Sequence, residues 1–142
     1  MVNLQKNPTM TVVAVALLDD AGRILLQQRA AGRSMAGLWE FPGGKVEAEE
    51  TAEAALVREI EEELGLQLDP GDLEPACFAS DEIAGRRMIL LLYLCRTWRG
   101  EPVALDAAAL RWSTPTEMRA LPMPPADEPL IPLLEAILSR AS

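Results

Sequence analysis

Apolar and polar residues change their spacing several times along the chain, and each change marks an element. Residues 10–18, MTVVAVALL, are β-branched and apolar; Asp19-Asp20-Ala21-Gly22 supplies turn residues, and RILLQQRA at 23–30 resumes an extended pattern, which predicts a β-hairpin. Residues 30–44 are rich in Gly, Ala and Pro with Trp39 and Phe41 among them, as in a loop that packs on a core. From Thr51 to Leu64 the period becomes helical. Leu56, Ile60 and Leu64, with Val57 beside them, form the apolar stripe; Thr51 is placed to cap the first turn and Gly65 stands just past the last. Asp69-Pro70-Gly71-Asp72 breaks the chain. Residues 73–80 and 86–99 read as strands, Gly100-Glu101-Pro102 as a turn and 110–113 as a short strand. The tail from Asp127 to Arg140 sets Leu130, Leu133, Leu134, Ile137 and Leu138 on one helical face, with Pro129 in its first turn. Strands interrupted by one central helix and closed by another imply an α/β layered domain, and the chain, without repeats or linkers, is expected to form one domain over residues 1–142.

Composition narrows the chemistry. The sequence has no histidine, which excludes Ser-His-Asp and Cys-His nucleophilic mechanisms, a HExxH zinc site and a histidine proton shuttle. A net charge of -9 repels polyanions and argues against a nucleic-acid polymer as partner. Cys77 and Cys95 lack CxxC spacing and sit in apolar surroundings, so they read as reduced core residues of a cytoplasmic protein. The amino end, MVNLQKNPTM, lacks the apolar region of a secretory signal. The most apolar run, residues 88–95, falls far short of the roughly 20 residues a spanning helix needs, so no membrane partner is expected.

The concentration of charge within residues 43–66, GGKVEAEETAEAALVREIEEELGL, calls for a separate explanation, because eight glutamates there face only Lys45 and Arg58. At about 100° per residue, Glu59, Glu62 and Glu63 fall within one arc of the helix beside the apolar stripe, while Glu61 points away. Like charges at these spacings cost a few tenths of a kcal/mol per pair, and the negative end of the helix dipole adds to that. A solvated acidic face accounts for Glu49, Glu53 and Glu61. Carboxylates next to the core are better explained by a divalent cation, and all-oxygen ligation without His or Cys indicates Mg²⁺ or Mn²⁺ in preference to zinc.

Gly44, five residues, Glu50, seven residues and then REIEEELGL at 58–66 resembles the Nudix box, Gx5Ex7REUxEExGU with U a bulky aliphatic, at every specified position. With about 10% for each fixed residue and about 30% for each aliphatic, chance agreement anywhere in the chain is below about one in a hundred thousand. The resemblance implies a Nudix-type α/β/α sandwich with a central mixed β-sheet, and a hydrolase of nucleoside diphosphates linked to a further group. It carries metal-binding roles over to Glu59, Glu62, Glu63 and the Gly43 carbonyl. Glu59 is also a candidate base for the attacking water, a role that falls elsewhere in other family members. Glu50 and Arg58 are assigned an ion pair that fixes the loop to the helix.

Beyond the box, WEFPGGK at 39–45, RRMILLLYLCRTWRGEP at 86–102 and PPADEP at 124–129 resemble the MutT subgroup, which converts 8-oxo-dGTP to 8-oxo-dGMP and diphosphate. This resemblance implies a Mg²⁺-dependent enzyme, or one using Mn²⁺, acting on a small nucleotide as monomer or homodimer. It aligns Arg29 with a residue near the substrate phosphates, Arg86 with one near the base, and Asp106 with an acidic residue of the metal site; ordinary strand-end charge is the alternative for Arg29, Arg86 and Arg87. Asp127 stands where the subgroup has asparagine, and an ionised aspartate only accepts hydrogen bonds whereas asparagine also donates. Capping of the last helix is the alternative role for Asp127. Three functions follow for testing: 8-oxo-dGTP hydrolysis; a CTP, 5-methyl-dCTP or broad nucleotide pyrophosphatase; and a non-catalytic nucleotide-sensing or interaction module.

Overall fold

A computed structural model describes residues 9–140. The amino-terminal segment MVNLQKNPTM lies mostly outside these residues. In chain order the elements are β1 (Met10–Leu17), β2 (Ile24–Gln28), β3 (Trp39–Glu40), β4 (Gly43–Lys45), α1 (Ala52–Leu64), a 3-10 turn at Pro70–Asp72, β5 (Glu74–Ile83), β6 (Arg86–Cys95), β7 (Ala109–Ser113), the one-turn α2 (Pro115–Met118) and α3 (Leu130–Arg140). Four strands form one sheet in the order β4-β1-β6-β5 and three form a second in the order β3-β2-β7. The larger sheet is mixed, because β1 runs parallel to β6 and antiparallel to β4.

The alternation of β1 explains the layers. Val13, Val15 and Leu17 pack on the side of Leu56, Ile60 and Leu64 of α1, while Ala14 and Ala16 face Met118, Leu130 and Leu134 of the other two helices. A strand buried on both faces shows no polar alternation, and this is why MTVVAVALL reads as an unbroken apolar run. Helix α1 begins and ends where its sequence signals lie. Thr51 Oγ1 accepts the Ala54 N–H at 3.1 Å, and Gly65, at φ 69°, donates its N–H to the Glu61 carbonyl at 3.0 Å. Both cysteines are free thiols, Cys95 buried and Cys77 partly so. Among the described residues no helix is long and apolar enough to cross a membrane.

The expected hairpin is corrected by the sheet topology. The Asp19–Gly22 turn forms and Leu18 bridges Ile24, but β1 and β2 then separate into different sheets. Both edges of β1 are already hydrogen-bonded, to β4 and to β6, so no edge remains for β2. The Gly-, Ala- and Pro-rich segment is likewise more than a loop, since it contains β3 and β4. Strand β6 ends at Cys95 instead of residue 99, beyond which Arg99 pairs only with Gln67, and β5 extends to Ile83. Helix α3 starts at Leu130, not Asp127, and Leu133 is 45% exposed because Leu130, Ile131 and Leu134 form the buried stripe.

The β5–β6 turn contains a correctable strain. Ala84 sits at φ 52° ahead of Gly85 at φ 78°, a pair of left-handed residues that suits Asn-Gly better than Ala-Gly. Ala84→Asn is expected to raise the unfolding free energy by about 0.5–1 kcal/mol, read as a higher urea midpoint at unchanged slope.

Candidate active site

Two adjacent glycines let β4 pass between β1 and the acidic face of α1. A Cβ on Gly43 would lie 1.9 Å from the Val13 carbonyl oxygen, and one on Gly44 would lie 2.3 Å from the Glu59 carboxyl carbon. The strand is therefore pressed against backbone on one side and against a carboxylate on the other. Arg58 ties the following loop to the helix. Its Nε and Nη2 donate to the two Glu50 oxygens at 2.8 and 2.9 Å, Nη2 also reaches the Lys45 carbonyl at 3.2 Å, and Glu47 N–H donates to Glu50 at 2.9 Å. These bonds, with Arg58 dominant, hold the Glu50 carboxyl down at about 2.

The three box carboxylates occupy different environments. Glu63 turns inward, and its Oε2 accepts the Gly43 N–H at 3.1 Å and Gln27 Nε2 at 3.3 Å. Burial, then the charges of Glu59 and Glu40, push its pKa up to about 8. Glu59 accepts Arg58 Nη1 at 2.9 Å, and burial raises its pKa against that contact. The Glu62 side chain is 60% exposed, with Arg58 Nη1 at 3.5 Å. Arg58 contacts both Glu59 and Glu62, and among the described residues no group of three or more Asp, Glu, Cys or His stands close enough to hold a metal ion. The donors nevertheless suit a hard divalent cation. All are carboxylate oxygens, two carry pKa values raised by burial, and Gly44 leaves the space that Glu59 fills.

A cleft of about 600 Å³ is lined by Gly43, Gly44 and Glu63 and also by Asp127. Arg29 lines it but is bound to Glu40 at 3.1 Å and to the Ser34 carbonyl at 2.7 Å. Asp106, at the rim, pairs with Arg33 at 2.7 Å. Asp127 is buried, and its Oδ2 accepts the Phe41 N–H at 3.2 Å; the start of α3 is bonded instead by the Asp127 backbone carbonyl, which accepts from Leu130. Arg86 does not line the cleft: it lies at the first position of β6 opposite Ile83, which does, and its buried Nε has no partner.

Burial, with Glu40 adding to it, pushes the Asp127 pKa up to about 7 from 3.8. A carboxyl raised in this way keeps its proton in the folded state while the unfolded chain loses it, so stability falls as pH rises from about 4 to 7. Asp127→Asn preserves an acceptor for Phe41 and removes the titration. Its stability relative to the parent is expected to grow between pH 4 and pH 8 by roughly 2–4 kcal/mol, measured by chemical denaturation.

Residues 8–134 match the model of the NUDIX domain. The chain belongs to the Nudix family. A CTP pyrophosphohydrolase of Escherichia coli K12 is 42% identical over 130 residues, covering 92% of this chain and 93% of that protein. An 8-oxo-dGTP diphosphatase of the same organism is 34% identical over 126 residues, covering 88% and 96%. The solution structure of the E. coli ORF135 protein superposes with a TM-score of 0.82 at 39% identity, covering 99% of this chain and 96% of that one. The mixed sheet between helices is accordingly the Nudix fold, and the chain is a Nudix hydrolase acting on diphosphate linkages of nucleotides, with the divalent-metal dependence of that family.

Two polar residues of this Nudix cleft were not singled out by sequence. Glu40 lies within WEFPGGK, and its pKa is raised by burial against the pull of Arg29. Gln27 is only 4% exposed, and its Oε1 is buried without a partner. An unmatched buried acceptor costs about 1–3 kcal/mol, so an amide is a poor filler at this point of an apolar strand. The only signal was its polarity within ILLQQ.

Proposed function

We propose that this chain is a Mg²⁺-dependent nucleoside triphosphate pyrophosphohydrolase of MutT type that converts 8-oxo-dGTP to 8-oxo-dGMP and diphosphate. The observation that carries the reading is a single cleft lined both by the box carboxylate Glu63, with Gly43 and Gly44, and by buried Asp127. Glu59, Glu62, Glu63 and the Gly43 carbonyl would hold the cation, with Asp106 joining them if its pair with Arg33 opens. Bound there, Mg²⁺ supplies charge neutralisation of the phosphate oxygens and a lowered water pKa. The chain's own residues do the rest. Arg58 and Glu50 fix the loop under the ligands, Arg29, Arg33 and Lys45 offer positive charge along the cleft, and Glu59 would take the proton of the attacking water.

Asp127 decides the base. When protonated it donates through its hydroxyl and accepts through its carbonyl, as asparagine does, and fits a base edge with one acceptor and one N–H, as 8-oxoguanine presents. When ionised it only accepts and suits an amino group such as that of cytosine. The 42% identity to a CTP pyrophosphohydrolase favours this second reading, of a cytidine triphosphate substrate. Measuring kcat/KM for 8-oxo-dGTP, dGTP, CTP and 5-methyl-dCTP at pH 6 and 8.5 separates the two. The proposal expects 8-oxo-dGTP to exceed dGTP by at least about tenfold at pH 6, a difference of about 1.4 kcal/mol. Equal values for those two nucleotides would sink it, and a dominant CTP rate would select the second reading.

A further inference from the structure

Gln27 is a buried polar residue held between two carboxylates of the cleft. Its Nε2 donates to Glu63 Oε2 at 3.3 Å, and its side chain lies against Glu40, whose pKa it lowers. Glu40 is also its register partner across β2 and β3, so the amide spans from the end of α1 to the smaller sheet. The amide orientation follows from charge: reversed, it would set Oε1 against Glu63 Oε2, acceptor against acceptor. The amide oxygen is consequently left without a protein partner. Glu63 is equally asymmetric. Oε2 receives two N–H groups, from Gln27 and from Gly43, while among the described residues no donor reaches Oε1. The carboxylate is thereby held in one rotamer with one oxygen spoken for and the other free.

We propose that Gln27 is a positioning residue that, with the Gly43 N–H, fixes Glu63 so that Oε1 alone is presented to the divalent cation. The inference rests on the assignment of Glu63 as a cation ligand. It goes beyond that assignment in naming a residue outside the Nudix box, on a strand of the other sheet, as a determinant of cation affinity. Partners that orient a ligating carboxylate typically govern metal affinity by 10–100-fold.

The test is Mn²⁺ binding without nucleotide, followed by electron paramagnetic resonance of the free ion, for the parent, Gln27→Met, Gln27→Asn and Glu63→Gln. Methionine matches the length of glutamine and has no N–H; asparagine keeps the amide but is one methylene too short to reach Glu63. Both Gln27 variants are expected to bind Mn²⁺ about 10–100-fold more weakly while melting within a few degrees of the parent. Their kcat is expected to recover toward the parent value as Mn²⁺ is raised, with the nucleotide KM at saturating metal unchanged. Affinity within twofold of the parent in a folded Gln27 variant, beside a clear loss in Glu63→Gln, overturns the role of Gln27 alone. Unchanged affinity in Glu63→Gln overturns the ligand assignment itself. Loss of the fold in both Gln27 variants makes the residue a core element and also overturns the proposal.

Discussion

Glu59→Gln is expected to lower kcat by on the order of a thousandfold while leaving the melting temperature within a few degrees. The carboxylate lies against the Cα of Gly44 and accepts from Arg58 at 2.9 Å. Glutamine has the same shape, and its amide oxygen still accepts from Arg58, whose main anchor is the two-pronged contact with Glu50. Removing a charge that burial already disfavours releases desolvation cost, which offsets the weakened contact. Activity has no such compensation. On the proposed assignment the cation would lose an anionic ligand and the attacking water its candidate base, and several kcal/mol of transition-state stabilisation would disappear together. Steady-state kinetics at saturating Mg²⁺ and a thermal melt of the same sample check both halves. A variant that keeps a tenth or more of the parent kcat would remove Glu59 from both roles, and the base would then be sought elsewhere in the cleft.

The helix and its anchoring were legible because their signals are local. Thr51, Gly65 and the Leu56-Ile60-Leu64 stripe fix α1 through contacts within a few residues, and the Glu50–Arg58 pair joins residues only eight apart across the start of the helix. The pairing of β1 was not legible. Whether β1 takes β2 or β6 as its neighbour depends on residues 78 positions later, and an apolar run offers no register of its own. The same limit applies to β3 and β4, whose Gly and Pro content reads as loop until a neighbouring strand supplies the ladder.

The site divides along the same line. Helical spacing put Glu59, Glu62 and Glu63 on one arc, but not their different surroundings, which come from β4 and β2 packing against Glu63 while Glu62 stays in solvent. Asp127 was visible only as a departure from a pattern. Its burial, its bond to Phe41 and its raised pKa arise from a segment that crosses beneath β3, a tertiary fact. Gln27 and Glu40 had no distinguishing signal, because a polar residue on a strand ordinarily faces water, and here the strand faces a cleft.

The adjacent glycines 43 and 44 should separate folding from catalysis when each is replaced by alanine. At Gly43 the three atoms nearest the added methyl are all backbone: the Val13 carbonyl oxygen at 1.9 Å, Ala14 Cα at 2.6 Å and Val13 C at 2.8 Å. Backbone in a central strand has no alternative position, so β4 must leave β1, and Gly43→Ala is expected to cost about 3–5 kcal/mol or to abolish folding. At Gly44 the three atoms nearest the methyl all belong to the Glu59 carboxylate, at 2.3 to 2.6 Å. That group ends a flexible side chain and can rotate toward solvent, so the stability cost of Gly44→Ala is expected to stay below about 1 kcal/mol. The rotation displaces Glu59 by more than 1 Å, and a displacement of that size at a reacting centre costs on the order of a hundredfold in rate. Urea denaturation and kcat on the two variants should therefore give opposite patterns: a destabilised protein for Gly43→Ala and a folded, nearly inactive one for Gly44→Ala. An active, stable Gly44→Ala variant would show that the observed seat of Glu59 is not the one it uses in the reaction, because the three atoms nearest the added methyl all belong to the Glu59 carboxylate.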